Sequence, residues 1–422
     1  MMDIRSQKLF SEFGLKQLLT EVAVGPKKIN ISQAMAIAIY EAYGGAQRVS
    51  PNPLVGCVVL DSHGNFLSKG HHEVYGSAHA EINALKKLDR EKLQDATVVV
   101  TLEPCAHVGK TGSCALYIKD LPVKRVVYGL VDPFHLVSGK GAQIIKGAGK
   151  EAILYSEFKD SSEGKLTPMM SAKEKEFISS QLEILAENFL KNFRYSKPFV
   201  ALKWAQSLDG KMALKNYESQ WITNAQSRNY AHYLRSVYDV LIVGAGTVHQ
   251  DNPKLNIRLE GFDLERKLLI IDPDATVFKS YDRLAFSKYH KKENVFFVVD
   301  TNSSETSIAF NLTVNPPGSF KNVLFLHKNE AGFFPLEEIH KFCFERGMKS
   351  ILVEGGPTTL SQYLNQAAFD RVYAFVAPVI MGDGLSYSDQ FSISSMTQRL
   401  NLRSVEKLEI GDDVLFTGLK NI

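Results

Sequence analysis

Cysteine is scarce. Only Cys57, Cys105, Cys114 and Cys343 occur in 422 residues, and their irregular spacing gives no sign of the disulfide framework that staples small secreted domains. Also missing is any apolar run approaching the roughly 20 residues needed to cross a bilayer, so no membrane partner is expected. The stretch from Met1 to Lys16 carries charges of both signs and lacks an apolar core followed by a small-residue cleavage site. It does not read as a secretory signal, and the cytoplasm is the expected compartment. Neither sign of charge is in real excess: 49 basic and 46 acidic residues leave a formal net charge of +3, with no lysine or arginine block to bind nucleic acid. No internal repeat or low-complexity tract is evident.

What is present is an ordinary globular composition, 45% hydrophobic and 23% charged, in a chain too long for one hydrophobic core. Two domains are expected. Apolar residues recur through the alanine-rich stretch from Ile31 to Tyr43, which predicts a helix opened by Ser32 and closed by Gly44-Gly45. The β-branched run Leu54 to Leu60, the helical Ala78 to Leu88, the compact TVVVTL ending at Leu102 and the strand-like Lys124 to Leu130 follow. This alternation predicts a layered α/β domain over 31–150. Residues 1–30 are set apart as an N-terminal extension, and 151–197 as a connecting segment with a helix around Phe177 to Asn192. A second domain over 198–422 opens with PFVALKWAQSLDGKMAL, continues through DVLIVGAGTV, LLIID and VFFVVD, and has its last strong signal at SILVEGGPTTL.

The first domain carries metal chemistry. SAHAEINAL sets His79 two residues before Glu81, and TLEPCAHVGKTGSC supplies Cys105 and Cys114. One imidazole and two thiolates suit Zn2+ and leave its fourth tetrahedral position open. A carboxylate beside such a metal can move the proton of an acidified water to a leaving amine, which outlines a hydrolytic deaminase with Glu81 as its catalytic residue. Cys105, after a strand and a proline, is expected to open a helix whose dipole favours thiolate. Singly, each residue has a plainer reading: cysteine as a small core side chain, His-x-Glu as chance, a Cys/His cluster as structural zinc. The ordered set argues for catalytic zinc. His71, His72 and His107 are read as polar loop or packing residues.

In the second domain two glycine-rich turns follow strands, VGAGT at Val243 to Thr247 and EGGPTT at Glu354 to Thr359. Such turns bring backbone N–H groups close to phosphate, although neither is a GxGxxG fingerprint and a glycine turn is often only a tight connection.

The order HAE, PC and a second cysteine resembles the cytidine/deoxycytidylate deaminase superfamily. Eight residues separate Cys105 from Cys114, and SPNPLVG stands upstream at Ser50 to Gly56. That combination resembles the deaminase half of the bifunctional riboflavin-biosynthesis deaminase/reductases. LKWAQSLDGKMA, SQWIT, LR, DVLIVGAGTV, DNPKLNIR, SILVEGGPTTL and APVIMG are similar, in order, to the reductase half. The resemblance implies a cytidine-deaminase-like three-layer domain followed by a dihydrofolate-reductase-like domain that uses NADPH. It implies phosphorylated pyrimidine substrates: a diaminopyrimidinone ribosyl phosphate is deaminated, and hydride is then added at C1′ of the ribosyl group, as its open-chain imine. Asn52 would meet the pyrimidine, Lys110 the phosphate, and Asp132 falls in the family's DPNP segment, where this chain departs with Phe134 and His135. Ala205, Trp221, Thr247, Asp251 and the turn Gly356, Pro357, Thr358, Thr359, Leu360, Ser361 and Gln362 would line the NADPH site. Ser219, Arg235, Leu255, Arg258 and Glu354 would meet the substrate, with Lys203 taking part electrostatically. Homo-oligomers are implied by the resemblance alone.

Three rival readings have distinct marks. A nucleic-acid or nucleotide deaminase with an accessory domain is disfavoured by the long inter-cysteine insert and the absence of a basic tract. A non-catalytic, metal-stabilised scaffold would have no use for Glu81. A chain in which only the reductase half works is the reading that the Phe134 departure favours.

Overall fold

The computed structural model describes residues 9, 14–25, 27–106, 112–133, 139–159, 171–262, 264–311 and 321–421. The chain divides into two compact units, Met1–Tyr195 and Ser196–Ile422.

In the first unit, strands β1 (Gly56–Leu60), β2 (Phe66–His71), β3 (Thr97–Leu102), β4 (Arg125–Leu130) and β5 (Glu151–Leu154) form one sheet in the order β2-β1-β3-β4-β5. β1 runs antiparallel to β2 and β3, while β3, β4 and β5 run parallel. The helices are α1 (Leu15–Val24), α2 (Ile31–Ala42), α3 (Ala80–Leu85), α4 (Cys114–Lys119), α5 (Lys140–Gly147) and α6 (Ala172–Tyr195). Successive strand residues point to opposite faces, and here both faces are covered, which is why β3 reads as an unbroken apolar run. Val58, Leu60, Val99 and Val127 join a core with residues of α1, α2 and α6. Cys57, Val59, Val98, Val100 and Val126 join a second core with α3, α4 and α5. The result is three layers, and the expected metal ligands lie on the α3/α4 side.

Several expectations need correction. Asn30, not Ser32, caps α2, in a reciprocal capping box with Gln33. Ser32 is buried and shares a 2.7 Å hydrogen bond with the Tyr155 hydroxyl. Within the expected N-terminal extension, Leu9, Leu15 and Leu18 lie in the first core. The stretch 151–197 does more than connect: β5 completes the sheet, and Ile178, Leu182 and Leu185 of α6 close the same core.

The second unit is built on nine strands: β6 (Phe199–Gln206), β8 (Val240–Gly244), β9 (Lys267–Ile271), β10 (Val295–Asp300), β11 (Val323–Leu326), β12 (Ser350–Glu354), β13 (Arg371–Val376), β15 (Leu402–Ile410) and β16 (Asp413–Lys420). Their order is β11-β10-β9-β8-β12-β6-β13-β16-β15, and all neighbours run parallel except β13-β16 and β16-β15. A separate two-stranded piece pairs β7 (Ala213–Leu214) with β14 (Gly384–Leu385). Three helices matter for the site: α7 (Ala225–Val237), α8 (Ala245–Asp251) and α9 (Pro357–Asn365). After β6 the chain builds outward through β8 to β11, then returns to insert β12 beside β6. The carboxyl ends flanking that reversal are where an open α/β sheet offers a ligand crevice. Among the described residues, no helix is long and apolar enough to cross a membrane.

Candidate functional site

The first unit gathers a metal-competent trio. His79 sits at the N-cap of α3, and Cys114 is the first residue of α4, whose N-cap Ser113 accepts the Leu116 N–H. Cys105 lies in the loop after β3 and opens no helix among the described residues; the insert between the cysteines gives that role to Cys114. The two ends of that insert are nonetheless tied together. Ser113 Oγ donates to the Cys105 carbonyl at 2.7 Å, and the Cys114 N–H reaches the Cys105 sulfur at 3.3 Å. His79 Nδ1 stands 3.5 Å from Cys105 Sγ and 3.3 Å from Cys114 Sγ, and the three donor atoms lie within 4.8 Å of one another. Tetrahedral zinc, with bonds of about 2.3 Å to sulfur and about 2.0 Å to nitrogen, sets neighbouring ligand atoms about 3.5 Å apart. The trio fits the ion, and among the described residues no fourth such ligand joins it.

Glu81, in the first turn of α3, is 3% exposed and interacts with both cysteine sulfurs. Burial, and after it the negative charge on Cys105, pushes its carboxyl up to about 7. The Cys105 thiol is drawn well below its usual range, first by the hydrogen bond from Cys114.

Asn52 reaches this centre through His72, read from the sequence as a polar loop or packing residue. His72 is 2% exposed; its Nδ1 donates to the Ala78 carbonyl at 3.2 Å while Nε2 accepts from the Asn52 amide at 3.1 Å. Its ring meets His79 edge-on at 5.3 Å. Glu103 was also missed. Its two carboxylate oxygens accept the Gly139 and Ala142 N–H groups, each at 3.0 Å, tying the start of α5 to the strand end that carries Cys105. Asp132 is buried just beyond β4. Lys110, His107, Phe134 and His135 lie outside the described residues.

In the second unit a cavity of about 1190 Å³ opens over the carboxyl ends of the strands. Lys203 and Ala205 of β6, Gly244 at the end of β8 and Glu354 at the end of β12 line it. So does one face of α7: Ser227, Arg228, Ala231, His232 and Arg235, the three- and four-residue spacing of a helix stripe. Of the expected cofactor residues, Ala205, Trp221, Thr247, Asp251, Gly356, Pro357, Thr358, Thr359 and Gln362 reach the cavity. Leu360 and Ser361 do not. Helical rotation turns Leu360 into the apolar core and Ser361 onto the Tyr387 carbonyl. Ser219, Leu255, Arg258 and the other expected substrate residues all line the cavity.

Charge is organised at one end of it. Arg235 grips Glu354 in a two-pronged pair, both bonds 2.8 Å, and the Lys203 ammonium stands 3.7 Å from the same carboxylate. Burial alone would raise the Glu354 carboxyl, but Arg235 and then Lys203 hold it down at about 2. Burial also lowers Lys203, and Glu354 offsets this only in part. Arg235, with the shorter contacts, is the dominant partner.

The two glycine turns interlock. A Cβ built on Gly244 would come within 2.5 Å of Thr359 Oγ1, and one on Gly355 within 2.6 Å of Thr359 Cβ. In return Thr247 Oγ1 accepts the Gly356 N–H at 3.1 Å. Gly356 caps α9 with no side-chain acceptor, so the positive end of that nine-residue helix faces the cavity. Such an end, with Pro357 at the first turn, suits the phosphates of a dinucleotide.

Residues 28–130 match the family model for the cytidine and deoxycytidylate deaminase zinc-binding region, and 198–416 match the RibD C-terminal domain. The riboflavin biosynthesis protein RibD of Aquifex aeolicus is 34% identical over 365 residues, covering 86% of this chain and 91% of that protein. The chain belongs to the RibD family. Among solved structures, a Thermotoga maritima diaminohydroxyphosphoribosylaminopyrimidine deaminase/5-amino-6-(5-phosphoribosylamino)uracil reductase is 31% identical with a TM-score of 0.71, covering 93% of this chain and 99% of that one. Acinetobacter baumannii RibD gives the same TM-score and coverage at 27% identity. This chain is therefore a bifunctional riboflavin-biosynthesis enzyme. It has a zinc-dependent, cytidine-deaminase-like half and an NADPH-dependent, dihydrofolate-reductase-like half.

The packing of the interlocked turns can be tested directly. Overpacking costs about 1–3 kcal/mol, and each kcal/mol shifts Tm by about 2–4 °C in a domain of this size. Gly244→Ala should lower Tm within that range and weaken NADPH binding in a fluorescence titration. Gly246→Ala, whose Cβ meets nothing within 4 Å, should leave Tm nearly in place. Equal Tm values for the two variants would contradict the packing argument.

Proposed function

We propose that the first unit deaminates 2,5-diamino-6-(5-phosphoribosylamino)pyrimidin-4(3H)-one. The second then reduces 5-amino-6-(5-phosphoribosylamino)uracil to its ribitylamino product. One observation carries the reading: a single chain holds a three-ligand metal site beside a buried carboxylate and, in its other unit, a cofactor-sized cavity lined by Arg235 and Lys203, both paired with Glu354, and by Arg258.

His79, Cys105 and Cys114 hold zinc, which when bound supplies a water acidified toward neutrality. Glu81 takes the proton from the attacking water and returns it to the departing amine; being nearly sealed from solvent, it does not lose that proton to bulk water. Asn52, oriented by His72, faces the pyrimidine, while Lys110 and Asp132 belong to the substrate loops.

In the reductase unit Ala205, Trp221, Thr247, Asp251 and the cavity-lining residues Gly356, Pro357, Thr358, Thr359 and Gln362 hold NADPH, which when bound supplies the hydride. Ser219, Arg235, Leu255, Arg258 and Glu354 position the ribosyl phosphate. Lys203, held by Glu354, takes part electrostatically from the cavity wall. Among the described residues no proton-relay triad stands in this cavity, so positioning supplies much of the catalysis.

The decisive experiment gives zinc-loaded protein the diaminopyrimidinone ribosyl phosphate and follows ammonia release and NADPH oxidation separately. Ammonia first, with NADPH oxidation following, is the expected course. NADPH oxidation only on pre-deaminated substrate would mean that the Phe134 departure has silenced the first half, and neither signal would overturn the proposal.

A further inference from the structure

His232 is absorbed by none of the roles above, yet it stands among them. It shares the cavity face of α7 with Arg235, one turn away, and is 9% exposed. The segment after α8 converges on the same place. Arg235 Nη1 donates to the Asn256 carbonyl at 3.3 Å, Arg258 Nη1 to the Asn256 side chain at 3.1 Å, and the Arg258 N–H to His232 Nδ1 at 3.4 Å. The last contact decides the tautomer: a neutral imidazole that accepts at Nδ1 carries its proton on Nε2. Burial, followed by the charges of Arg235 and Arg258, keeps the ring neutral, with its pKa lowered to about 4. Among the described residues Nε2 has no hydrogen-bond partner, so one donor remains on a ring that lines the cavity.

We propose that His232 is a further substrate ligand of the reductase, donating Nε2–H to the phosphate of the ribosyl phosphate alongside Arg235 and Arg258. This rests on the reading that the two arginines receive that phosphate. A phosphate presents several acceptor oxygens, and here Lys203 and Arg235 are already engaged by Glu354. A neutral donor fills the remaining demand without adding a fourth cation to a pocket whose only paired carboxylate, among the described residues, is Glu354.

The two ring nitrogens can be tested separately. His232→Asn offers an acceptor near the Nδ1 position, preserving the bond from Arg258, but loses the donor at Nε2. His232→Gln extends an amide donor to the Nε2 position. With ribose 5-phosphate as the calorimetric probe and ribose as the control, His232→Asn should weaken binding by about ten- to a hundredfold, the usual size of a hydrogen bond to a charged group. His232→Gln should stay within about threefold of the wild type. The reverse ranking would make His232 a support for the Arg258 loop and overturn the proposal.

Because either variant could misfold, the wild type supplies an independent measure. In imidazole ¹⁵N spectra, the Nε2–H signal should shift on adding ribose 5-phosphate and not on adding ribose; an unmoved signal rejects the contact. Arg258→Ala separates the proposal from the reading beneath it. If that variant also binds ribose 5-phosphate normally, the phosphate lies elsewhere and both fail. If it binds weakly while His232→Asn does not, only the role of His232 fails.

Discussion

Glu81→Gln should abolish ammonia release almost completely, by about 10²–10⁴-fold, while the protein keeps its zinc and still reduces pre-deaminated substrate. The side chain is isosteric, so the α3 turn and the trio of His79, Cys105 and Cys114 need not move. The amide removes a carboxylate that, beside that trio, can carry a proton from water to the leaving amine. Stability should not fall, because a neutral amide is easier to bury than a carboxylate at 3% exposure. The reductase lies in a separate compact unit with its own core and cavity, and its turnover should be untouched. Three measurements on one preparation are needed: metal content, ammonia release and NADPH oxidation. Ammonia release within about threefold of the wild type would remove Glu81 from the chemistry, and loss of zinc would make it a structural support of the metal site.

How much of this was legible follows from the kind of constraint each residue obeys. The metal trio could be read because zinc demands particular donor atoms, and few arrangements of His and Cys at the ends of a strand and a helix satisfy it. The covered sheet was legible in TVVVTL for a similar reason: both faces of β3 are buried and every position is selected for it. Where structure depends on partners distant in sequence, the signal faded. β5 is only four residues long, and α6 begins in a charged stretch, so neither announces that it closes the first core. Cys105 and Cys114 exchanged helical roles because the insert between them resets where α4 begins. A contiguous motif does not separate Leu360 and Ser361 from their cavity-lining neighbours, whereas a helix offers a ligand only some of its faces. His232 could have been found by counting back one turn from Arg235, but its tautomer depends on a backbone N–H 26 residues away.

Glu354→Ala carries the largest expected effect on stability. It strips the counter-charge from Lys203 and Arg235, whose side chains are only 16% and 17% exposed, and breaking a buried pair in this way costs about 3–5 kcal/mol. The acid titration of the wild type provides a second route to the same quantity. The Glu354 carboxyl falls from its ordinary 4.5 to about 2 on folding. At about 1.4 kcal/mol per pH unit this is about 3 kcal/mol. Since the folded pKa is the lower one, this stabilisation is fully present above pH 4.5 and is lost as pH falls toward 2. Denaturant unfolding of the wild type should therefore show a loss across that window that the Glu354→Ala protein largely lacks. Glu354→Gln, which still offers Arg235 an acceptor, should fall between the two. Ribose 5-phosphate should restore part of the lost stability in Glu354→Ala, because an anion entering the pocket supplies the charge that the carboxylate no longer does. An alanine variant within about 1 kcal/mol of the wild type would show that the two cations reach solvent without Glu354. The charged end of the cavity would then be an open surface, not the buried pocket on which the phosphate reading depends.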